Sequence, residues 1–156
     1  MVKLAIDAKK GIVQSKGNGI EFSGLETAGG TCKIIEHSAG ETTLSPLDSG
    51  AIIAVKANDA GGKILLPAVA ASAGVWFEVV IQAEIGNNLV IEAVGDEVQV
   101  LFNVNADDNA VTRTAADDLT VTAAGDAIGD RLSYFSDGVN WYVEGVSAVA
   151  ATFAVA

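Results

Sequence analysis

Gly129-Asp-Arg-Leu-Ser-Tyr-Phe-Ser-Asp-Gly-Val-Asn-Trp-Tyr-Val-Glu-Gly145 reads as a β-hairpin. Leu132, Tyr134 and the Trp141–Val143 run are strand formers, and Ser136-Asp137-Gly138 supplies the turn chemistry between them. Working outward, the same grammar repeats. Val75–Ala83 is a near-continuous apolar strand carrying Trp76, Phe77, Val79, Val80 and Ile81. Gly86-Asn87-Asn88 turns into Leu89–Val94, and Gly95-Asp96 turns into Glu97–Val104. Upstream, Thr42–Pro46, Ala51–Lys56 and Lys63–Pro67 read as strands, parted by the turns Asp48-Ser49-Gly50 and Asn58–Gly62. Pro67 cannot donate to a ladder and stops its strand. Ala68–Gly74 is a loop or a single helical turn. Val111–Ala116, Leu119–Ala123 and Ser147–Ala156 complete the set. Strand and turn signals recur about every 8–12 residues, the spacing of an all-β sandwich or barrel. The expected fold is an antiparallel β-sandwich or barrel, jelly-roll-like, over 41–156. No internal repeat stands out.

Residues 1–40 read as a separate arm. Val2–Asp7 alternates apolar and polar, which predicts one strand. Gly11, Gly17, Gly19, Gly24, Gly29 and Gly30 then separate short apolar pieces around Ile20 and Phe22, and Cys32, Ile34 and Ile35 form another small patch. Such a segment holds too little apolar surface to fix its own register. It is expected to be less ordered than the body alone and to order on a partner.

The chain has 156 residues, half of them hydrophobic, with 17 Gly and 2 Pro. That apolar content excludes a disordered chain and suffices for one core. The net charge is −11, so the body repels phosphate backbones and nucleic-acid binding is not expected. The basic residues are unevenly placed. Lys3, Lys9, Lys10, Lys16 and Lys33 fall in the first 33 residues, whereas Lys56, Lys63, Arg113 and Arg131 are alone in the acidic remainder. Chance and an arm that docks on an acidic partner explain this equally well. No run approaches the roughly 18 apolar residues of a membrane helix, so no membrane partner is expected. Met1-Val-Lys-Leu-Ala-Ile-Asp is broken by charge too early for a signal peptide.

Chemistry is sparse. His37 is the single histidine and Cys32 the single cysteine, which excludes an intrachain disulfide and suits a reducing cytoplasm. A catalytic Cys32–His37 pair needs a third orienting group and an electropositive pocket, and a zinc site needs more soft ligands. The better reading is a semi-exposed turn histidine and a small buried thiol. Asn103–Asn109 has oxygen ligands at alternate positions but lacks the glycine and terminal glutamate of a calcium loop. A solvated acidic loop is the better reading, with calcium a minor one. Asp117-Asp118 and Asp126/Asp130 are read as turn formers rather than a glycosidase pair. No cofactor, metal or catalytic residue is assigned. Trp76, Phe77, Val79, Ile81, Tyr134, Trp141 and Val143 are the expected core.

Several of these pieces together resemble the small all-β virion proteins of tailed phages, of the capsid decoration, cement and head-fibre type. The resemblance rests on Asp48-Ser49-Gly50, Leu66-Pro67-Ala68, Gly74 with Trp76-Phe77, Asn87–Ile91, Gly129-Asp130 and Ser136-Asp137-Gly138 with Trp141–Val143. It covers about 42–156 and leaves out the arm. It implies a non-enzymatic virion protein, most naturally a homotrimeric decoration protein that binds the major capsid protein on the outer capsid surface, stabilises the head and is assembled in the host cytoplasm. On this reading the arm makes the capsid contact, through Lys3, Leu4, Ile6, Lys9, Lys10, Lys16, Ile20 and Phe22. The alternative is a fibre or tail-associated module for host-surface adhesion, which exposed aromatics on a concave face would favour. A third, an enzyme acting on carbohydrate, would need two convergent carboxylates about 5–9.5 Å apart in a cleft.

Overall fold

In the computed structural model the described residues are 4–7, 11–14, 32–93, 99–105, 111–149 and 152–155, with side chains described for 32–93, 117–149 and 152–154. The chain divides into two units, Met1–Thr31 and Cys32–Ala156. In the first, β1 (Leu4–Asp7) and β2 (Gly11–Gln14) form an antiparallel pair in which Leu4 faces Gln14 and Asp7 faces Gly11.

The second unit is a sandwich of two mixed sheets. Its strands are β3 (Ile34–His37), β4 (Glu41–Thr43), β5 (Ile52–Val55), β6 (Lys63–Leu66), β7 (Trp76–Ile81), β8 (Leu89–Ala93), β9 (Gln99–Asn105), β10 (Val111–Ala116), β11 (Asp118–Val121), β12 (Arg131–Ser136), β13 (Trp141–Ser147) and β14 (Phe153–Val155). One sheet runs β10-β9-β13-β12-β7-β5-β3 and the other β14-β11-β8-β6-β4. The all-β sandwich expected from the strand spacing is present. Single 3-10 turns at Pro46–Asp48 and Val69–Ala71 are the helical pieces among the described residues.

Two expectations need correcting. The pairing is not purely antiparallel. From β3 to β8 the chain alternates between the sheets, so that β3, β5 and β7 lie parallel in one and β4, β6 and β8 parallel in the other. This is a coil of three turns, and β12 and β11 add antiparallel to its last strands, β7 and β8. The second correction is the boundary. The body begins at Cys32, not at Glu41, because Ile34–His37 pairs directly with Ile52–Val55, the next strand of the same sheet.

The coil is tied at one corner by buried polar groups. Asn58, in the turn after β5, donates from Nδ2 to the Asn88 carbonyl in the turn after β7 (2.7 Å). Its Oδ1 therefore faces the imidazole of the fully buried His37, which donates from Nε2 (3.0 Å), while Nδ1 accepts from the Thr42 hydroxyl (2.8 Å). This network selects the Nε2-protonated tautomer. The Asn58 backbone N–H reaches the Ile85 carbonyl, and Asn87 donates its side-chain N–H to the Asn58 carbonyl. Three successive turns are joined by groups that would each be costly to bury alone. On the outside, Lys63 bridges Glu41 and Glu92 on the flanking strands, and Glu92 foremost raises its pKa.

Between the sheets, alternate residues interlock. Ile53 and Val55, Ile64 and Leu66, Phe77, Val79 and Ile81, Leu89 and Ile91, Leu119 and Val121, and Leu132, Tyr134, Trp141 and Val143 form one buried cluster. Trp141 is its centre, with Phe77 at 5.9 Å and Tyr134 edge-on at 6.3 Å between ring centroids. Six of the seven expected core residues are in this cluster. The exception is Trp76.

Candidate functional site

The hairpin is built around Asp137. Its Oδ1 accepts from the backbone N–H of Val139 (2.7 Å) and Asn140 (2.8 Å), and Oδ2 accepts from the Tyr142 hydroxyl (3.0 Å). These bonds, the Asn140 N–H foremost, hold the carboxyl below its ordinary range. They fix both the turn and the direction of the Tyr142 ring. With the turn set, strand alternation sends Leu132, Tyr134 and Ser136 inward and Arg131, Ser133 and Phe135 outward.

Register then builds an aromatic row on the outer face. Phe135 lies directly opposite Trp76 of β7 on one side and Tyr142 of β13 on the other. Trp76 is 46 % exposed, Phe135 49 % and Tyr142 38 %. Trp76 is thus a surface residue and not a core residue, because Phe77 takes the inward position and Trp76 shares the outer face with Glu78. The indole lies over Gly50, where an added Cβ would stand 3.4 Å from Trp76 Cζ2. The next row on this face is polar, Glu78–Ser133–Glu144, and the row after it is Val80–Arg131–Val146.

The remaining singled-out residues are structural or lie elsewhere. His37 is buried inside the coil corner rather than semi-exposed, because it closes β3 with its ring turned toward Asn58. Cys32 is exposed and not buried, being outside the first strand of the body. Asp130 accepts from the Ala127 N–H (2.9 Å) and the Ala148 N–H (2.8 Å), and Asp126 accepts from the Ile85 N–H (3.0 Å), so both pin loops. Asp48 gathers the Lys33 ammonium with the Ser45 hydroxyl and N–H, and its carboxyl is held low chiefly by Lys33. Of the acidic stretch 103–109, residues 106–109 lie outside the described residues. Among the described residues no three His, Cys, Asp or Glu side chains gather to hold a metal, and no helix is long and apolar enough to cross a membrane. Of the arm residues assigned to a capsid contact, Leu4 and Ile6 lie in β1. Lys3, Lys9, Lys10, Lys16, Ile20 and Phe22 lie outside the described residues.

A shallow cavity of about 780 Å³ lies at the coil corner, lined by Gly61, Glu84, Asn87, Asn88 and Ala123 among others. Both of its asparagine side chains pin neighbouring loops. Asn87 donates to the Asn58 carbonyl and Asn88 Oδ1 accepts from the Ala123 N–H. The outer aromatic row, with three rings exposed side by side, is the candidate surface. It was missed in the sequence because Trp76 sits in an apolar run, although Glu78 two residues on marks that side of the strand as solvent-facing. No family model, curated protein or solved structure matches the chain.

Proposed function

We propose that the protein is a non-enzymatic structural protein of a phage virion, a capsid decoration or cement protein bound to the major capsid protein on the outside of the head. The observation that supports this reading is the division into a self-contained body and a small N-terminal unit. Among the described residues, β1 and β2 pair only with each other. A two-stranded hairpin is marginal in water and gains order from a surface it docks on. Among the described residues the body has a buried core of its own. Both sheets of the body end in edge strands, β10 and β3 in one and β14 and β4 in the other. Closed symmetry, a trimer on the family resemblance, covers such edges.

The test is a truncated protein starting at Cys32. It is expected to fold, keep the oligomeric state of the full chain in sedimentation and lose binding to emptied capsids. Decoration at full occupancy by the truncated protein would remove the arm as anchor. A start at Glu41 would be the wrong test, since it deletes β3 and His37.

A second reading, adhesion to a host surface, is favoured by the exposed row Trp76–Phe135–Tyr142. Particles carrying Phe135→Ser protein would then adsorb to cells more slowly than wild-type particles at equal decoration. Equal adsorption rates would count against it.

A further inference from the structure

We propose that the row Trp76–Phe135–Tyr142 is a platform for a neutral saccharide, the C–H faces of the sugar rings lying on the aromatic rings and the hydroxyls donating to flanking carboxylates. The proposal deepens the adhesion reading of this row and is independent of capsid decoration.

Three observations carry it. The first is preorganisation. The row is one residue wide on three paired strands, with Trp76 laid over Gly50 and Tyr142 held by Asp137. Rings already fixed lose little freedom on binding, which lowers the cost that limits weak surface sites.

The second is size. An aromatic side chain offers about 150–250 Å², so three that are exposed by a third to a half present roughly 300 Å². That area is of the order of the face of one or two sugar rings.

The third is the arrangement of charge. The adjoining row places Glu78 and Glu144 on either side of Ser133, and neither glutamate has an ion-pair partner among the described residues. A carboxylate only accepts hydrogen bonds, and sugar hydroxyls can supply them. An acidic polysaccharide would be repelled by these carboxylates. A basic peptide would use the carboxylates but would meet Arg131 on the same face, and exposed ion pairs contribute little.

The test uses the full chain, titrated by calorimetry with maltohexaose, cellohexaose and mannohexaose, and in parallel with octalysine. Trp141 is buried and Trp76 exposed, so tryptophan emission reports on the platform. At least one hexasaccharide is expected to bind with Kd below about 1 mM and to shift the emission to the blue. Trp76→Phe should abolish that shift. Phe135→Ser should weaken binding roughly tenfold or more with an unchanged melting temperature. Binding of octalysine alone, binding of none of the four, or a Phe135→Ser protein with wild-type affinity would each overturn the proposal. Slower adsorption of Phe135→Ser particles without any saccharide binding would leave adhesion standing and remove only the ligand class.

Discussion

The coil of residues 34–93 and the hairpin of residues 131–147 both have to fix strand register, and they do it by different means. In the hairpin the turn does it. One carboxylate, Asp137, accepts from two N–H groups within three residues and so sets which residue of β12 faces which residue of β13. In the coil no tight turn joins paired strands, because every parallel neighbour is reached by way of the other sheet. Register there rests on apolar interdigitation and on the corner where His37, Asn58 and Asn88 meet. A one-residue slip would pull these groups apart and leave them buried without partners. The lesson is that parallel strands without a sequence repeat need long-range polar ties, whereas an antiparallel pair carries its instruction in the turn.

The sharpest break in the comparison is between the two tryptophans. Trp141→Ala should cost about 3–5 kcal/mol, since it empties the centre of the core that hairpin and coil share. Trp76→Ala should cost less than about 1 kcal/mol, as an exposed substitution. Chemical denaturation of both variants checks this, and equal losses would return Trp76 to the core.

Next come the coil ties. Asn58→Ala should cost about 3 kcal/mol by leaving the His37 Nε2–H and the Asn88 carbonyl without their partner. Gly62→Ala should cost about 2 kcal/mol by crowding. An added Cβ there would stand 2.0 Å from Asn58 Oδ1, and that oxygen is held by His37. Hydrogen exchange should show the loss concentrated in β3 to β6. Uniform loss would mean that the corner is not a local tie.

A smaller effect of opposite sign is expected at Tyr134. Its hydroxyl is buried, has no partner among the described residues, and has its pKa pushed well up by desolvation. Tyr134→Phe should therefore be neutral or stabilising by up to about 1 kcal/mol in thermal melts. A clear loss would reveal a partner for the hydroxyl.

The smallest effect concerns pH. The Asp137 carboxyl titrates lower in the folded hairpin than its ordinary 3.8. Its contribution is thus present above pH 3.8 and fades as pH falls through the lowered folded-state value. Asp137→Asn should flatten that part of the stability profile and leave the profile above pH 5 parallel to wild type. An unchanged acid limb would detach Asp137 from the turn's stability.

The hairpin and most strands were legible because their signals are local: alternation, Gly-Asp and Ser-Asp-Gly turns, and a proline stop at Pro67. The parallel order was not, because nothing in Ile34–His37 names Ile52–Val55 as its neighbour without a repeat to align them. Asn58 was legible as a turn residue, but its buried amide network depends on residues as distant as Asn88. The outward side of Trp76 could be read from Glu78, yet the apolar run around it argues for burial on both faces. The acidic residues Asp126 and Asp130 followed the usual logic of loops, with carboxylates spent on nearby backbone.

The junction of coil and antiparallel strands has a consequence during synthesis. β7 and β8 leave the ribosome with one side paired to β5 and β6 and the other side bare, since β11 and β12 are still to come. Arg131 follows Ile81 by 50 positions, an interval of about 3–10 s at ordinary elongation rates. For that time the Trp76–Ile81 edge, rich in Val and aromatics, is open to the same strand of a neighbouring nascent chain. Slow translation between residues 94 and 130 would lengthen the exposure, so yield of soluble protein should respond to codon choice in that interval more than anywhere else in the gene.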